Sequence, residues 1–279
     1  YRLGGACNVA LNVQALAAVA LLCGIIAADA DGRALQSSLP QSGMSAEGLV
    51  SSESRKTTVK TRVLGNNQQM LRIDQEDTHD LSDTEGEALI RTISGIIERR
   101  AVKALIFQDY NKGVLTPAVI QAVTELARRQ GILIAVDPKK ANFFAYRHVD
   151  LFKPNLKEIR DNAPFAVLPE LESLKQAADF LKNKLHHRTT MITLSEKGLF
   201  LEDGTSSALY PTTRRTVADV SGAGDTVISI ATLGMIAGLN SQMLAALSNL
   251  AGGQVCESPG VVPVNRGILE TELTHWLNQ

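Results

Sequence analysis

A glycine-rich loop followed by an apolar helical stretch is the segment of this sequence best suited to chemistry. It reads DVSGAGDT over Asp219–Thr226, and residues 227–236 continue as an apolar run. Glycines let the backbone approach a ligand closely, and the free N–H groups at a helix start attract an anion. Asp225 would lie in the first helical turn, beside that anion. The alternative is that the glycines only shape a turn and Asp225 only caps the helix.

Four further sites place glycines or polar residues where a chain can bind a ligand. They are Gly4–Asn8 (GGACN), Asn155–Glu158 (NLKE), Thr193–Gly198 (TLSEKG) and Asn249, which lies in a helical stretch near the C-terminus. From the residues alone, the glycine pair is equally a packing feature. The Asn155–Glu158 segment is equally a helix N-cap with a glutamate in the first turn.

The loop at Asp219–Thr226 resembles the DTxGAGD signature of ribokinase-like carbohydrate kinases, with Val220 in place of a common threonine. The other segments match motifs of that family in the family's order, over nearly the whole chain. The resemblance implies transfer of the γ-phosphate of ATP to a sugar hydroxyl, with Mg²⁺. Such transfer needs positioning, charge neutralisation and a placed carboxylate. A Walker-type GxxxxGK[ST] sequence does not occur.

The resemblance also implies a role for each matched residue. The amides of Gly222, Ala223 and Gly224 would hold the γ-phosphate, and Asp225 would deprotonate the attacking hydroxyl. Glu158 would order Mg²⁺ through water. Asn249 would lie near adenine. The remaining matches divide into sugar contacts at Gly4, Gly5 and Asn8 and nucleotide contacts at Asn155, Thr193, Ser195, Lys197 and Gly198.

Several stretches are most similar to D-glycero-D-manno-heptose-7-phosphate kinases of lipopolysaccharide core synthesis. They are Thr58–Asp74, Gln108–Leu115, Ala135–Lys140 and Phe152–Glu158. A phosphorylated sugar fits the basic residues found there, because a phosphate dianion requires Arg or Lys partners. We expect substrate contacts at Arg62, Arg72, Asp109, Lys112 and Lys139. For each basic residue, the alternative is a solvated surface charge.

Short apolar runs alternate with stretches of helical periodicity, which predicts an α/β fold: a doubly wound, mostly parallel sheet flanked by helices. The predicted strands are 103–109, 132–138, 150–155 and 191–195, and the predicted helices begin at 82, 116, 170, 222 and 241. Before them, 55–64 and 67–74 alternate apolar and polar residues around Gly65-Asn66, which indicates a β-hairpin lid. The site is expected at the C-terminal ends of the strands, between lid and body.

The bulk composition narrows the class of partner. The net charge of −1 and the pI near 6.6 indicate neither nucleic acid nor a membrane surface. The three cysteines are odd in number and lie far apart among apolar residues, which favours free thiols and a cytoplasmic location. The apolar run Ala15–Ala28 is similar to a signal sequence, but it is too short to span a bilayer and divides into a helix end and a strand. We interpret His186-His187 as a solvated loop, not a zinc site.

We expect residues 1–279 to form one kinase domain with the lid at about 52–76. The family carries a first strand and a sugar-binding Asp before the glycine pair, so we interpret this N-terminus as truncated. Lids of related kinases pair, which implies a homodimer. The alternatives are a ribokinase-like kinase for a hexose phosphate, fructose or a nucleoside, or an inactive relative that binds sugar or nucleotide. A Rossmann oxidoreductase would require a GxGxxG that the sequence lacks.

Overall fold

The structure, a computed structural model, describes residues 2–65 and 68–278. The helices are α1 (Ala6–Ala15), α2 (Ala30–Gln41), α3 (Asp83–Arg99), α4 (Pro117–Arg129), α5 (Leu156–Asn162), α6 (Leu171–Leu185), α7 (Ala223–Ile236), α8 (Ser241–Cys256) and α9 (Arg266–Leu277). The strands are β1 (Leu21–Ala27), β2 (Ser45–Ser52), β3 (Val59–Gly65), β4 (Gln68–Gln75), β5 (Ala104–Gln108), β6 (Leu133–Asp137), β7 (Leu151–Phe152), β8 (Thr189–Thr193), β9 (Leu199–Glu202) and β10 (Ser207–Tyr210).

Two compact units divide the chain, and neither is continuous in sequence. The first comprises Tyr1–Ala20, Val102–Tyr110 and Thr124–Gln279, and the second comprises Leu21–Ala101 and Asn111–Val123. The first unit therefore holds the glycine-rich loop and the long sheet. The second unit holds the predicted lid.

The sheet of the first unit has the strand order β10-β9-β8-β7-β6-β5. Strands β5 to β8 are parallel to one another. Strand β9 is antiparallel to β8, and β10 is antiparallel to β9. The mostly parallel sheet expected from the sequence is therefore confirmed. The antiparallel pair was not predicted. A connection of only a few residues, 194–198, leads from β8 to β9, and such a short connection can join only antiparallel strands.

Both faces of the central strands of this sheet, β6 to β9, are buried. On one face, Ala135, Leu151 and Met191 pack with Val227 and Ile228 of α7 in one apolar cluster. The neighbouring residues along the same strands point to the other face and are also buried: Ile134, Val136, Phe152, Ile192 and Phe200. Strands buried on both faces have nearly continuous apolar sequences, which is why these runs were recognisable.

The second unit contains two separate pairs of strands. Strands β1 and β2 are parallel, and β3 and β4 form the predicted antiparallel hairpin. The predicted turn residue Asn66 and the first residue of the second predicted strand, Asn67, lie outside the described residues. A capping box of Ser82 and Glu85 opens α3, which confirms the helix predicted to begin at residue 82.

Two local expectations were wrong. The strand predicted at 150–155 covers only Leu151–Phe152, because Pro154 cannot donate to a ladder and Asn155 already caps α5. His187 is not in a solvated loop: it is buried, and its Nε2 lies 2.6 Å from the Thr190 hydroxyl oxygen. Burial lowers its pKa to about 3.

The run Ala15–Ala28 divides as predicted, into the end of α1 and strand β1. Across the described part of the chain, no helix is both long enough and apolar enough to cross a membrane.

Candidate active site

The polar residues of the site lie at the C-terminal ends of the parallel strands of the first unit, and we call this end of the sheet its carboxyl edge. Gln108 ends β5, Asp137 ends β6, Lys153 follows β7 and Thr193 ends β8. Because parallel strands present their carboxyl ends at one edge, these side chains converge there. The location predicted at the strand ends is thus where the polar groups gather.

The glycine-rich loop leads into α7 at this edge. Gly222 is the N-cap residue of α7 and has a φ of 86°, a conformation that favours glycine. A Cβ at Gly222 would lie 2.8 Å from Nδ2 of Asn8. Asp219 stabilises the loop by accepting hydrogen bonds from the backbone N–H groups of Ser221 at 2.9 Å and Gly260 at 3.1 Å.

The first turn of α7 can bind an anion. The backbone N–H of Ala223 donates to the carbonyl oxygen of Val220 at 3.3 Å. The amides of Gly224 and Asp225, by their place in the first turn, have no carbonyl partner within the helix. A Cβ at Gly224 would lie 3.7 Å from Oδ2 of Asp137 and 3.8 Å from Nζ of Lys153. Any anion here would therefore lie near both a carboxylate and an ammonium group.

Asp225 accepts three hydrogen bonds from side chains of the first unit. Asn8 Nδ2 donates to Oδ2 at 2.9 Å, and the Tyr110 hydroxyl donates to Oδ1 at 2.9 Å. Gln108 Nε2 donates to Oδ1 at 3.2 Å. Burial raises the pKa of Asp225 above its usual value, and the negative charge of Asp137 adds to this, while the bonds from Asn8 and Tyr110 oppose it. The carboxylate is thus held in place and made more basic than an exposed aspartate.

A chain of charged groups extends from this carboxylate along the strand ends. Asp137 accepts from Gln108 at 3.0 Å and lies 3.3 Å from Nζ of Lys153. Lys153 is only 2% exposed, so its charge acts in a poorly solvated setting. Lys139 lies 3.6 Å from Asp137 and contacts Glu158. Lysines and carboxylates therefore alternate around the start of α7.

Glu158 and Asn155 form a capping box at the start of α5. Each side chain accepts the backbone N–H of the other at 2.8 Å, and Lys139 binds the remaining oxygen of Glu158. Within residues 2–65 and 68–278, no three acidic, His or Cys residues cluster as a metal site would require. A divalent cation at this edge would therefore need phosphate oxygens and water among its ligands.

The segment expected to contact nucleotide has strained backbone geometry. Ser195 has a φ of 55°, and Gly198 has a φ of 88°. A Cβ at Gly198 would lie 2.1 Å from the carbonyl oxygen of Tyr210, so only glycine fits. Thr193 pairs with Asn155 in a parallel bridge, while the side chain of Lys197 is exposed.

Asn249 does not extend freely into the site. Its Nδ2 donates to the backbone carbonyl oxygens of Tyr210 at 2.9 Å and Pro211 at 3.3 Å. These bonds attach α8 to the chain that follows β10. Asn249 therefore stabilises the backbone at Tyr210 and Pro211, beside the segment Thr193–Gly198 that was expected to contact nucleotide.

Four predicted sugar contacts belong to the first unit and differ in their burial. Asn8 is fully buried, and its Nδ2 donates to Asp225. Asp109 is also buried and accepts a hydrogen bond from the hydroxyl of Tyr146 at 2.8 Å. Gly4 is exposed, and a Cβ there would have nothing within 4 Å. Gly5 has a φ of 58° and faces the ring of Tyr110.

The predicted phosphate contacts Arg62, Arg72 and Lys112 belong to the second unit. Arg62 and Arg72 are directly opposite each other on β3 and β4. Arg72 donates to both oxygens of Asp74, at 2.8 and 2.6 Å, and Lys112 contacts Glu76. The structure therefore places the two arginines together on one face of the hairpin.

Four residues of the site were missed from sequence: Gln108, Tyr110, Asp137 and Lys153. The signal was available, since each lies at or within two residues of the C-terminal end of a strand. A polar side chain at that position in a parallel sheet is a candidate ligand residue on topological grounds alone.

Comparison with known proteins gives one family and a consistent set of relatives. The family described as "pfkB family carbohydrate kinase" matches residues 1–266. The "Bifunctional protein HldE" of Wolinella succinogenes is 36% identical over 95% of this chain and 55% of its own length. That of Citrifermentans bemidjiense is 38% identical over 98% of the chain and 56% of its own length. The chain thus spans about half the length of these curated relatives.

Solved structures share the fold at low sequence identity. Phosphofructokinase-2 from Escherichia coli in complex with potassium matches with a TM-score of 0.82 and 17% identity, over 99% of this chain and 88% of its own. Ribokinase from Thermotoga maritima matches with a TM-score of 0.73 and 18% identity, over 98% of this chain and 88% of its own. These likenesses concern the fold, and they agree with the ribokinase-like architecture expected from the sequence.

Proposed function

This chain belongs to the pfkB family of carbohydrate kinases, and we propose that it transfers the γ-phosphate of ATP to the 1-hydroxyl of D-glycero-D-manno-heptose 7-phosphate. The observation that carries the kinase chemistry is Asp225, a partly buried carboxylate in the first turn of a helix that opens with free amides. The sugar is inferred from the segments that resemble heptose kinases and from relatives that are 36% and 38% identical.

In the proposed reaction, Asp225 takes the proton of the sugar hydroxyl as its O–H bond breaks. The hydroxyl oxygen then forms a bond to the γ-phosphorus, and the bond between that phosphorus and the bridging oxygen breaks. ADP leaves with the electron pair. The amides of Gly222 and Gly224 would stabilise the charge on the transferring group, together with Lys153. The amide of Asp225 would take the place expected for that of Ala223, whose N–H donates to Val220.

Mg²⁺ would reach this edge with ATP, where it would neutralise phosphate charge. Glu158 and Asp137 are the carboxylates that would hold it. Both oxygens of Glu158 already accept hydrogen bonds from the protein, so contact through water fits this residue better than direct ligation. Asp137 is buried, and it lies beside Gly224 in the first turn of α7.

The 7-phosphate would bind the basic face of the lid. Arg62 and Arg72 are cross-strand partners, and a dianion between two guanidinium groups could accept from both. Arg72 would exchange Asp74 for the sugar phosphate, because a phosphate dianion carries more charge than the single carboxylate that Arg72 binds in this structure. Arg62→Ala is expected to raise KM for the sugar phosphate about ten-fold or more, with KM for ATP unchanged. Arg91→Ala, on the exposed face of α3, is the matched control.

We also propose that two copies of the chain pair through the lid. Val63, Leu71 and Ile73 lie on one face of the hairpin, opposite the basic face, and Leu71 and Ile73 are 53% and 52% exposed. An isolated two-stranded sheet is marginally stable, so a second apolar face would stabilise it. Leu71→Glu should convert a dimer into a monomer in sedimentation equilibrium. A wild-type protein that is monomeric at assay concentrations would rule the dimer out.

A panel of acceptors tests the function directly. ADP release would be measured with heptose 7-phosphate as either anomer, and with fructose 6-phosphate, fructose, ribose and a nucleoside. We expect kcat/KM to be highest for the heptose phosphate by at least about ten-fold, because each lost phosphate contact weakens the bound state. A preference for another acceptor would support the proposed kinase activity and contradict the proposed sugar. No turnover with any acceptor would favour an inactive binding protein.

A further inference from the structure

The two oxygens of Asp225 are not equivalent in this structure. Among the described residues, Oδ1 accepts hydrogen bonds from Tyr110 and Gln108, whereas Oδ2 accepts one, from Asn8. A carboxylate oxygen offers about two lone-pair directions. The two donors on Oδ1 occupy both of its directions. Oδ2 keeps one direction for a further donor, such as a sugar hydroxyl.

Tyr110 is fixed by its neighbours in a way that aims its hydroxyl at Oδ1. A Cβ at Gly5 would lie 3.5 Å from the Tyr110 ring, so the ring lies directly against this glycine. The backbone N–H of the preceding residue, Asp109, donates to the backbone carbonyl oxygen of Asp137 at 3.1 Å, which fixes the chain directly before Tyr110. Burial and the charge of Asp225 raise the pKa of Tyr110 well above its usual range, so the phenol remains a donor.

Gln108 is oriented by the two carboxylates that it joins. Its Nε2 donates to Asp137 at 3.0 Å and to Asp225 at 3.2 Å. Because both neighbours only accept hydrogen bonds, the amide must present its NH₂ group to them. Its Oε1 is buried and has no hydrogen-bond partner in the part of the chain that the structure describes, a cost that this orientation imposes. Gln108 thus lies between the carboxylates of Asp137 and Asp225 and donates a hydrogen bond to each.

We propose that Tyr110 is a positioning residue which, together with Gln108, holds Oδ1 of Asp225 and leaves Oδ2 to receive the proton of the sugar hydroxyl. This role rests on the kinase function proposed above. Without the phenol, the carboxylate would lose a bond to its charged form and would turn more freely. Its affinity for a proton would then rise, and its alignment with the hydroxyl would be poorer.

Tyr110→Phe tests this directly, since it removes one hydroxyl and keeps the ring on Gly5. The measurement is kcat against pH, from about pH 5 to pH 9, at saturating ATP and sugar phosphate. We expect the acid limb to move about one unit to higher pH, because activity requires an unprotonated Asp225. On the plateau, kcat should fall about ten-fold while KM for ATP stays constant.

The matched control is Tyr146→Phe, which removes a buried hydroxyl that binds Asp109 and not Asp225. It should lower the melting temperature and leave the acid limb within about 0.2 unit of wild type. Gln108→Leu removes the other donor to Oδ1 and should shift the limb in the same direction as Tyr110→Phe. It carries the test if the tyrosine variant does not fold.

The outcomes separate this inference from the function beneath it. An acid limb that stays in place in both Tyr110→Phe and Gln108→Leu overturns the positioning role. If Asp225→Asn is nevertheless inactive, the kinase mechanism stands. A fully active Asp225→Asn, or a wild-type protein without kinase activity, overturns both.

Discussion

Replacing Asp225 with asparagine is the most direct test of the proposed mechanism. The variant keeps the size of the side chain, but an amide cannot accept the hydroxyl proton. General-base contributions are typically 10²–10⁴-fold, so we expect kcat to fall by about that factor. This equals about 3–5.5 kcal/mol in the activation barrier. Binding of ATP should change little, because the backbone amides at Gly222 and Gly224 remain.

The stability of the variant follows from the three donors around this residue. If the amide oxygen replaces Oδ1, it still accepts from Tyr110 and Gln108, and its NH₂ group meets the NH₂ group of Asn8. Asn8 can reverse its amide at modest cost, since its oxygen accepts only a long bond, 3.4 Å, from Asn12. Removal of a partly buried charge offsets part of the loss. We expect the free energy of unfolding to change by about 2 kcal/mol or less.

The assay measures kcat, both KM values and the melting temperature on the same preparation. Asp203→Asn is the matched control. It makes the same change in the turn after β9, which lies at the N-terminal ends of the parallel strands and therefore away from the site. Asp203 accepts hydrogen bonds from the backbone amides of Thr205 and Ser206, so this variant should lose stability and keep its kcat. If Asp225→Asn retains kcat within about ten-fold of wild type, Asp225 is not the base.

Three further outcomes are expected. Gly222→Ala should lower kcat by at least about ten-fold, because its Cβ would lie 2.8 Å from Nδ2 of Asn8. Gly238→Ala is the control: Gly238 also has a positive φ, but a Cβ there would have nothing within 4 Å, so this variant should only lose about 1 kcal/mol of stability. Serine hydroxyls lower the pKa of Glu85 from 4.5 to about 2, so Glu85→Gln should melt below wild type at pH 7, and this gap should close as the pH falls from about 4.5 to 2. Arg55→Ala removes donors from three loop carbonyls, and urea unfolding should show a loss of about 2–3 kcal/mol.

The fold was predictable where each strand is buried on both faces. Runs such as 104–107 and 133–136 are apolar throughout, and the helix between them carries a clear cap at Thr116. Elements with weak signals were missed. Helix α2 has serines and a proline in its last turns, and β9 and β10 are only four residues each. Their formation depends on tertiary pairing, which a local pattern does not contain.

The sequence motifs predicted which segments form the site, but they did not predict which side chains contact one another there. The motif loop is where the sequence placed it, but the donors to Asp225 come from residues more than 100 positions away along the chain. No local pattern encodes such distances. The burial of Asn8 and Asp109 was equally hidden, because both residues are short polar side chains in segments of mixed composition.

The balance of charge at the strand ends explains why such a site would need a divalent cation. Among the described residues, Asp137 and Glu158 form ion pairs with Lys139 and Lys153, and Asp225 is joined to Asp137 through the amide of Gln108. These groups together carry a net negative charge, and they would repel a polyphosphate. The amides at the start of α7 offset part of that repulsion, and a divalent cation bound with the nucleotide would reverse its sign. For a phosphate to bind beside a carboxylate base at this position, Lys153, the helix start and the cation would together have to outweigh the negative charge of that carboxylate.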